Sequence, residues 1–111
     1  MEKFNEEDKN YKNGDWGTKY FVNGPHWEGG LLVFQPGQKL GEHFHREVEE
    51  TFYFLEGTPA MIVNGQEYRV RPGDVFNLAA GEKHDIINDT TQPIKAIFIK
   101  SPYRPSDKIA S

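Results

Sequence analysis

The chain has 111 residues, no cysteine, 13 basic and 17 acidic side chains and a formal net charge of −4. That length predicts one domain with one real core. The missing cysteines exclude disulfides, thiolate nucleophiles, zinc fingers and Cys-ligated iron–sulfur clusters. Leu, Ile, Val and Phe supply 26 of the 111 residues, above the ~20% below which a highly charged chain reads as disordered. The lysines and arginines are scattered singly along the sequence, so no basic patch for a nucleic-acid backbone is legible. No apolar run approaches the ~20 residues of a membrane helix. Met1-Glu2-Lys3-Phe4-Asn5 carries no apolar stretch, so no secretory signal is expected and the expected compartment is the cytoplasm.

Met1 to Gly17 is polar, with Phe4, Tyr11 and Trp16 as isolated anchors, and is set apart as an N-terminal segment, residues 1–17, available for a dimer contact. A β domain is expected over residues 18–100. It opens with strand-like runs at Lys19 to Asn23 and Gly30 to Gln35, the second stopped by Pro36-Gly37. His43 to Arg46 is short and polar, and Glu50 to Glu56 is strongly strand-like and closes at Gly57. Ala60 to Val63 and Gln66 to Val70 flank Asn64-Gly65, whose tolerance of positive φ predicts a hairpin. Asp74 to Leu78, His84 to Asn88 and Ile94 to Lys100 follow, separated by Pro72-Gly73, Gly81 and Pro93. Residues 101–111, with Pro102 and Pro105, read as an irregular C-terminal tail. No window has a sustained 3.6-residue apolar stripe, and many short strands between Gly/Pro turns predict an all-β sandwich or barrel.

His43 and His45 are two residues apart, so in an extended segment both imidazoles point to one face. Such a pair makes a metal platform, or simply sits on a solvated strand face. Glu47, Glu49 and Glu50 all lie near enough to add a carboxylate, and strand parity separates them. Glu50 shares a face with Phe52 and Phe54, which belong in the interior. A carboxylate carried inward with them needs a partner, because leaving it buried and unpaired is costly. A metal supplies enough charge. His26 has no spaced partner and reads as a surface histidine.

These residues also fall into a larger pattern. Gly37, five residues, His43, one residue, His45, four residues, Glu50, six residues and Gly57 resembles the first motif of the cupin superfamily. Gly73, five residues, Ala79, one residue, Gly81, two residues, His84, three residues and Asn88 resembles the second. The one departure is Ala79, where the family usually has proline. The resemblance implies a double-stranded β-helix, or jelly-roll barrel, in which His43, His45, Glu50 and His84 converge on one divalent transition metal: Mn, Fe, Ni, Cu or Zn. Four ligands would leave two octahedral positions for water, dioxygen or a bidentate substrate.

Parity assigns Phe52 and Phe54 to the wall of a substrate pocket; Phe34 and Phe98, on flanking strands, are weaker candidates for that wall and read first as plain core packing. No general acid or base is assignable, since Tyr53, Arg69 and Arg71 have the wrong or an undecided parity. The expected partners are a small-molecule substrate and a second copy of the chain, with neither nucleic acid nor membrane. Three functions follow from the resemblance. A metal-dependent enzyme with dioxygenase-like chemistry stands first. A sugar or sugar-phosphate isomerase or epimerase stands second, held back because no Arg/Lys cluster for a phosphate is legible. A non-catalytic binding or sensor protein stands third. Regulatory cupins carry a helix-turn-helix domain, for which 111 residues are expected to leave no room.

Overall fold

A computed structural model describes residues 1–110. Ten strands account for nearly all of its regular structure: β1 (Gly17–Asn23), β2 (Glu28–Phe34), β3 (His43–His45), β4 (Glu49–Glu56), β5 (Ala60–Val63), β6 (Gln66–Arg69), β7 (Val75–Leu78), β8 (His84–Ile87), β9 (Ile94–Ser101) and β10 (Lys108–Ala110). The one helical turn is a 3-10 turn over Glu6–Asp8, capped by the Asn5 side chain. Among the described residues no helix is long and apolar enough to cross a membrane. Nine of the strands fall where the Gly/Pro punctuation predicts them.

Two antiparallel five-stranded sheets face each other, in the orders β1-β2-β9-β4-β7 and β10-β3-β8-β5-β6. Strand neighbours are distant in sequence, as a jelly roll requires: β2 lies beside β9 and β3 beside β8. Alternation along each strand sends one set of side chains between the sheets. Phe34, Phe52, Phe54, Met61, Val70, Ile86, Ile94 and Ala96 make up most of the buried core.

The inward faces also change character along their length. Along β9 the inward series is Ile94, Ala96, Phe98 and Lys100; along β4 it runs back from Phe54 through Phe52 to Glu50; along β8 it runs back from Ile86 to His84. Antiparallel pairing brings the polar ends together, since Glu50 lies opposite Lys100 and His84 opposite His43. One end of the barrel is therefore an apolar plug, and the other is lined by titratable groups.

The segment expected to be an irregular tail differs from that reading. Lys108 to Ala110 pair antiparallel with His45 to His43 and cover the free edge of β3. Asp107 fastens this return by accepting from the amides of Glu47 and Val48 at 2.8 and 3.1 Å. Three residues without an apolar run give no local strand signal, and it is the unpaired edge of β3 that organises them. Ser111, the last residue of that expected tail, lies outside the described residues. The N-terminal segment packs on its own barrel: Phe4 meets Phe21 at 5.8 Å and Trp16 meets Phe34 at 6.2 Å.

Asn88 joins the sheets at the end of β8. It is completely buried; its amide donates to the carbonyls of Phe34 and Gln92 at 3.0 and 2.8 Å, and its Oδ1 accepts from the amide and hydroxyl of Thr90. Asn88→Ala removes these bonds, including the one to the buried Phe34 carbonyl of β2, and should cost about 1–3 kcal/mol. Urea unfolding should record a lower midpoint at an unchanged slope; an unchanged midpoint would mean that the loop closes without these bonds.

Candidate metal centre

Three imidazoles come from one sheet and the carboxylate from the other. β3 presents His43 and His45 on one face, β8 places His84 beside His43, and β4 brings Glu50 across the interior. The centroids of the His43 and His84 rings are 4.4 Å apart, and those of His43 and His45 are 5.1 Å apart. Glu50 Oε1 lies 3.2 Å from His45 Nε2 and 3.1 Å from His84 Nε2. All four residues are buried, with one ligand atom from each inside a 4.8 Å spread. Ligands about 2.1 Å from a common ion would lie within about 4.2 Å of one another, so closing on an ion needs only small side-chain shifts.

Hydrogen bonds outside the cluster fix the rings. His43 Nδ1 lies 2.8 Å from the Gly41 carbonyl, and His84 Nδ1 lies 3.0 Å from the Glu82 carbonyl. A carbonyl oxygen only accepts, so both Nδ1 atoms carry the proton and the neutral rings turn an Nε2 lone pair inward. Gly41 is itself held by Asp85, whose Oδ1 accepts from its amide at 2.9 Å. The His45 carbonyl accepts from Gly81 N at 2.7 Å, tying β3 to the loop before His84. Backbone partners of this kind orient ligating histidines.

The donor set fits a metal ion on one observation. With Nδ1 of His84 donating to Glu82, a neutral His84 would aim a lone pair at a carboxylate oxygen 3.1 Å away. Two acceptors at that distance repel, so positive charge must lie between them, as a proton or as a metal ion. The electrostatics of the metal-free cluster agree. Burial disfavours a charged His43, and with smaller contributions from His84 and Lys108 it outweighs the Gly41 hydrogen bond and lowers the pKa from 6.5 to about 4. Burial pushes the Glu50 carboxyl up, but with a proton in that position, hydrogen bonds from His45 and His84, together with the field of Lys100, override it, and its pKa falls from 4.5 to about 2.

A cavity of about 640 Å³ opens beside His43, His45 and Glu50. Phe52 is on its wall and meets His84 edge-on at 6.0 Å. Phe54 has the same parity but is not on the wall: it is fully buried one residue pair deeper and packs edge-on against Phe76 at 5.9 Å. Parity assigns a face and not a depth. Phe34 and Phe98, the weaker candidates that read first as core packing, do line the cavity. So do Tyr20, Glu28 and Lys100, none of them singled out from the sequence. The signal was available for Lys100, which continues the inward series of Phe98. Tyr20 and Glu28 depend on how β1 and β2 pair. Tyr53 is exposed, as its parity requires, and so are Arg69, Arg71 and His26.

A family model described as the cupin domain matches residues 30–100; the chain belongs to the cupin superfamily. Among curated proteins it is 29% identical over 80 residues to tetracenomycin polyketide synthase protein TcmJ of Streptomyces glaucescens, covering 72% of this chain and 54% of that protein. The chain thus spans about half the length of that relative. It is 40% identical over 48 residues to quercetin 2,3-dioxygenase of Bacillus subtilis, covering 43% of this chain and 14% of the enzyme. Among solved structures, an uncharacterized conserved protein with a double-stranded β-helix domain from Klebsiella pneumoniae superposes with a TM-score of 0.85 at 17% identity, covering 100% of this chain and 97% of that one. That likeness establishes the fold.

The two shifted groups set a pH dependence for the metal-free protein. Unfolded, His43 binds a proton below 6.5 and Glu50 below 4.5; folded, they do so only near 4 and 2. The unfolded state therefore binds more protons across both windows, and stability falls as pH falls through them. The melting temperature of chelator-treated protein should decline from about pH 6.5 downward. In His43→Gln the decline between pH 6.5 and 4 should be shallower; an equally steep curve would place that titration elsewhere.

Proposed function

We propose that the chain is a metal-dependent enzyme acting on a small molecule, with dioxygenase-type chemistry, and that His43, His45, Glu50 and His84 hold its divalent transition metal. The observation that carries this reading is the pair of acceptors 3.1 Å apart, His84 Nε2 and Glu50 Oε1, set at the edge of a cavity large enough for a drug-sized ligand. A bound ion would supply Lewis-acid polarisation of a coordinated oxygen. The chain's own residues supply the rest. Gly41 and Glu82 hold two imidazoles in the tautomer that coordinates. Glu50 is the only anion among the four ligands, so a divalent ion would keep one net positive charge for an anionic substrate oxygen. Leu32, Phe34, Phe52 and Phe98 form the apolar wall, which limits water around that oxygen and strengthens each electrostatic contact to it. The 40% identity over 48 residues to a quercetin 2,3-dioxygenase favours oxygen chemistry over the isomerase alternative.

Mn, Fe, Ni, Cu and Zn all suit an imidazole-rich set, and cellular supply selects among them. Protein purified without a polyhistidine tag or chelator should carry close to one equivalent of one of these metals per chain, and His84→Ala should lose it while staying a folded β protein. Oxygen uptake with catechol-type chelating substrates should depend on the metal. A His84→Ala protein that retained its metal with unchanged affinity would overturn the ligand assignment.

Glu50→Gln should lower metal affinity severely and Glu49→Gln only mildly, because Glu49 faces solvent while Glu50 is buried. Metal titration followed by calorimetry reads the order directly, and the reverse order would place the wrong face of β4 inward.

A further inference from the structure

The cavity is cationic in an acidic protein. Its lining holds four lysines, Lys12, Lys39, Lys100 and Lys108, against two glutamates, Glu28 and Glu50, whereas the whole chain carries 17 acidic and 13 basic side chains. Lys12, Lys39 and Lys108 are exposed, while the Lys100 side chain is only 15% accessible. Four lysines separated by up to 96 positions in sequence are gathered here from the N-terminal segment, the loop between β2 and β3, β9 and β10.

Lys100 is held rather than merely present. Its Nζ lies 3.0 Å from Glu28 Oε1 and donates to Tyr20 Oη at 3.1 Å. An ammonium has three donors, so one is left for a ligand. Tyr20 accepts from Lys100 and keeps its own phenol proton available to an oxygen in the cavity, while its ring is fixed edge-on to Phe98 at 5.2 Å. Gly30 makes this placement feasible. A Cβ there would collide with the Lys19 carbonyl, so only glycine lets β1 approach β2 where the register shifts between Tyr20 and Val22. Glu28 and Glu50 are the register partners of Lys100 on its two sides, through β2 and β4. The ammonium thus stands between its own counter-ion and the proposed metal ligand.

We propose that Lys100 and Tyr20, positioned by Glu28, form an oxyanion subsite beside the metal cluster, and that the substrate is a small molecule with a chelating oxygen pair at one end and a monoanionic oxygen group, a carboxylate or an enolate, at the other. A phosphate dianion fits less well, because Glu28 already shares the ammonium. The chelating half of this assignment rests on the metal reading, and the oxyanion half does not.

Two titrations separate them. In metal-free protein, benzoate should bind wild type and His84→Ala alike, about tenfold more weakly to Tyr20→Phe, and not measurably to Lys100→Met. Because Lys100→Met leaves Glu28 buried without its counter-ion, the double variant Glu28→Gln/Lys100→Met, checked by circular dichroism and thermal melting, serves as the folded control and should also fail to bind benzoate. In zinc-loaded protein, 3,4-dihydroxybenzoate should bind about tenfold more tightly than catechol, and the double variant should bind the two equally. Equal benzoate affinity in wild type and both Lys100 variants would overturn the subsite, as would phenyl phosphate binding more tightly than benzoate. Benzoate binding that depends on Lys100, together with catechol that ignores the metal, would overturn the metal reading and leave the subsite standing.

Discussion

A carboxylate buried between two imidazoles is the constraint on which the rest of this structure depends. Glu50 is 6% accessible, and an anion in that position is strongly unfavourable without positive charge around it. Positive charge held between Glu50 and the facing His45 and His84, as a proton or as a metal ion, meets that need, and Lys100 adds to it from the neighbouring strand. Two sheets that meet through apolar side chains at one end must therefore meet through compensated charge at the other. The phase of β4 is set by the same requirement. A one-residue slip would bring Glu49, Thr51 and Tyr53 inward and expel Phe52 and Phe54. The apolar end of the strand thereby enforces the position of its polar end.

The histidines are held by backbone more than by one another. Asp85 holds Gly41, and Gly41 and Glu82 hold the Nδ1 atoms of His43 and His84. Each of these carbonyls lies two residues before the ring it orients, so the turn entering the strand and the ligand it presents form a single local unit. The β10 return and Asp107 close the outer edge of that unit. The orientation of the two rings is consequently set by the folding of turns and edges, and an ion bound there would leave little to rearrange.

The charge distribution gives the cavity a character opposite to that of the molecule. The chain as a whole carries more acidic than basic side chains, while the lysines at the mouth and Lys100 within concentrate positive potential where low-dielectric walls focus it. A small anion would be attracted along that gradient toward the cluster. The same feature revises the reason for setting phosphate recognition aside. No Arg/Lys cluster is visible along the sequence, yet the fold assembles one of lysines. Glu28, inside the cluster, then tips it toward a monoanion.

Most of the architecture was legible because its signals are local. Pro36-Gly37, Gly57, Asn64-Gly65, Pro72-Gly73 and Pro93 punctuate runs that can only be short strands, and alternation alone turned Glu50 inward with Phe52. His84 is different: nothing near position 84 connects it to position 43, and only the family resemblance joined them before the β3–β8 pairing did. What the sequence by itself determined was which residues share a face and where each strand turns, since parity and turn chemistry act over a few residues. Tertiary structure alone decided which strands became neighbours, that Phe54 lies below the cavity while Phe34 and Phe98 line it, that residues 108–110 form an edge strand, and that Tyr20, Glu28 and Lys100 meet. Those outcomes depend on long-range register, and register is settled by burying the facing apolar sides of the two sheets at once.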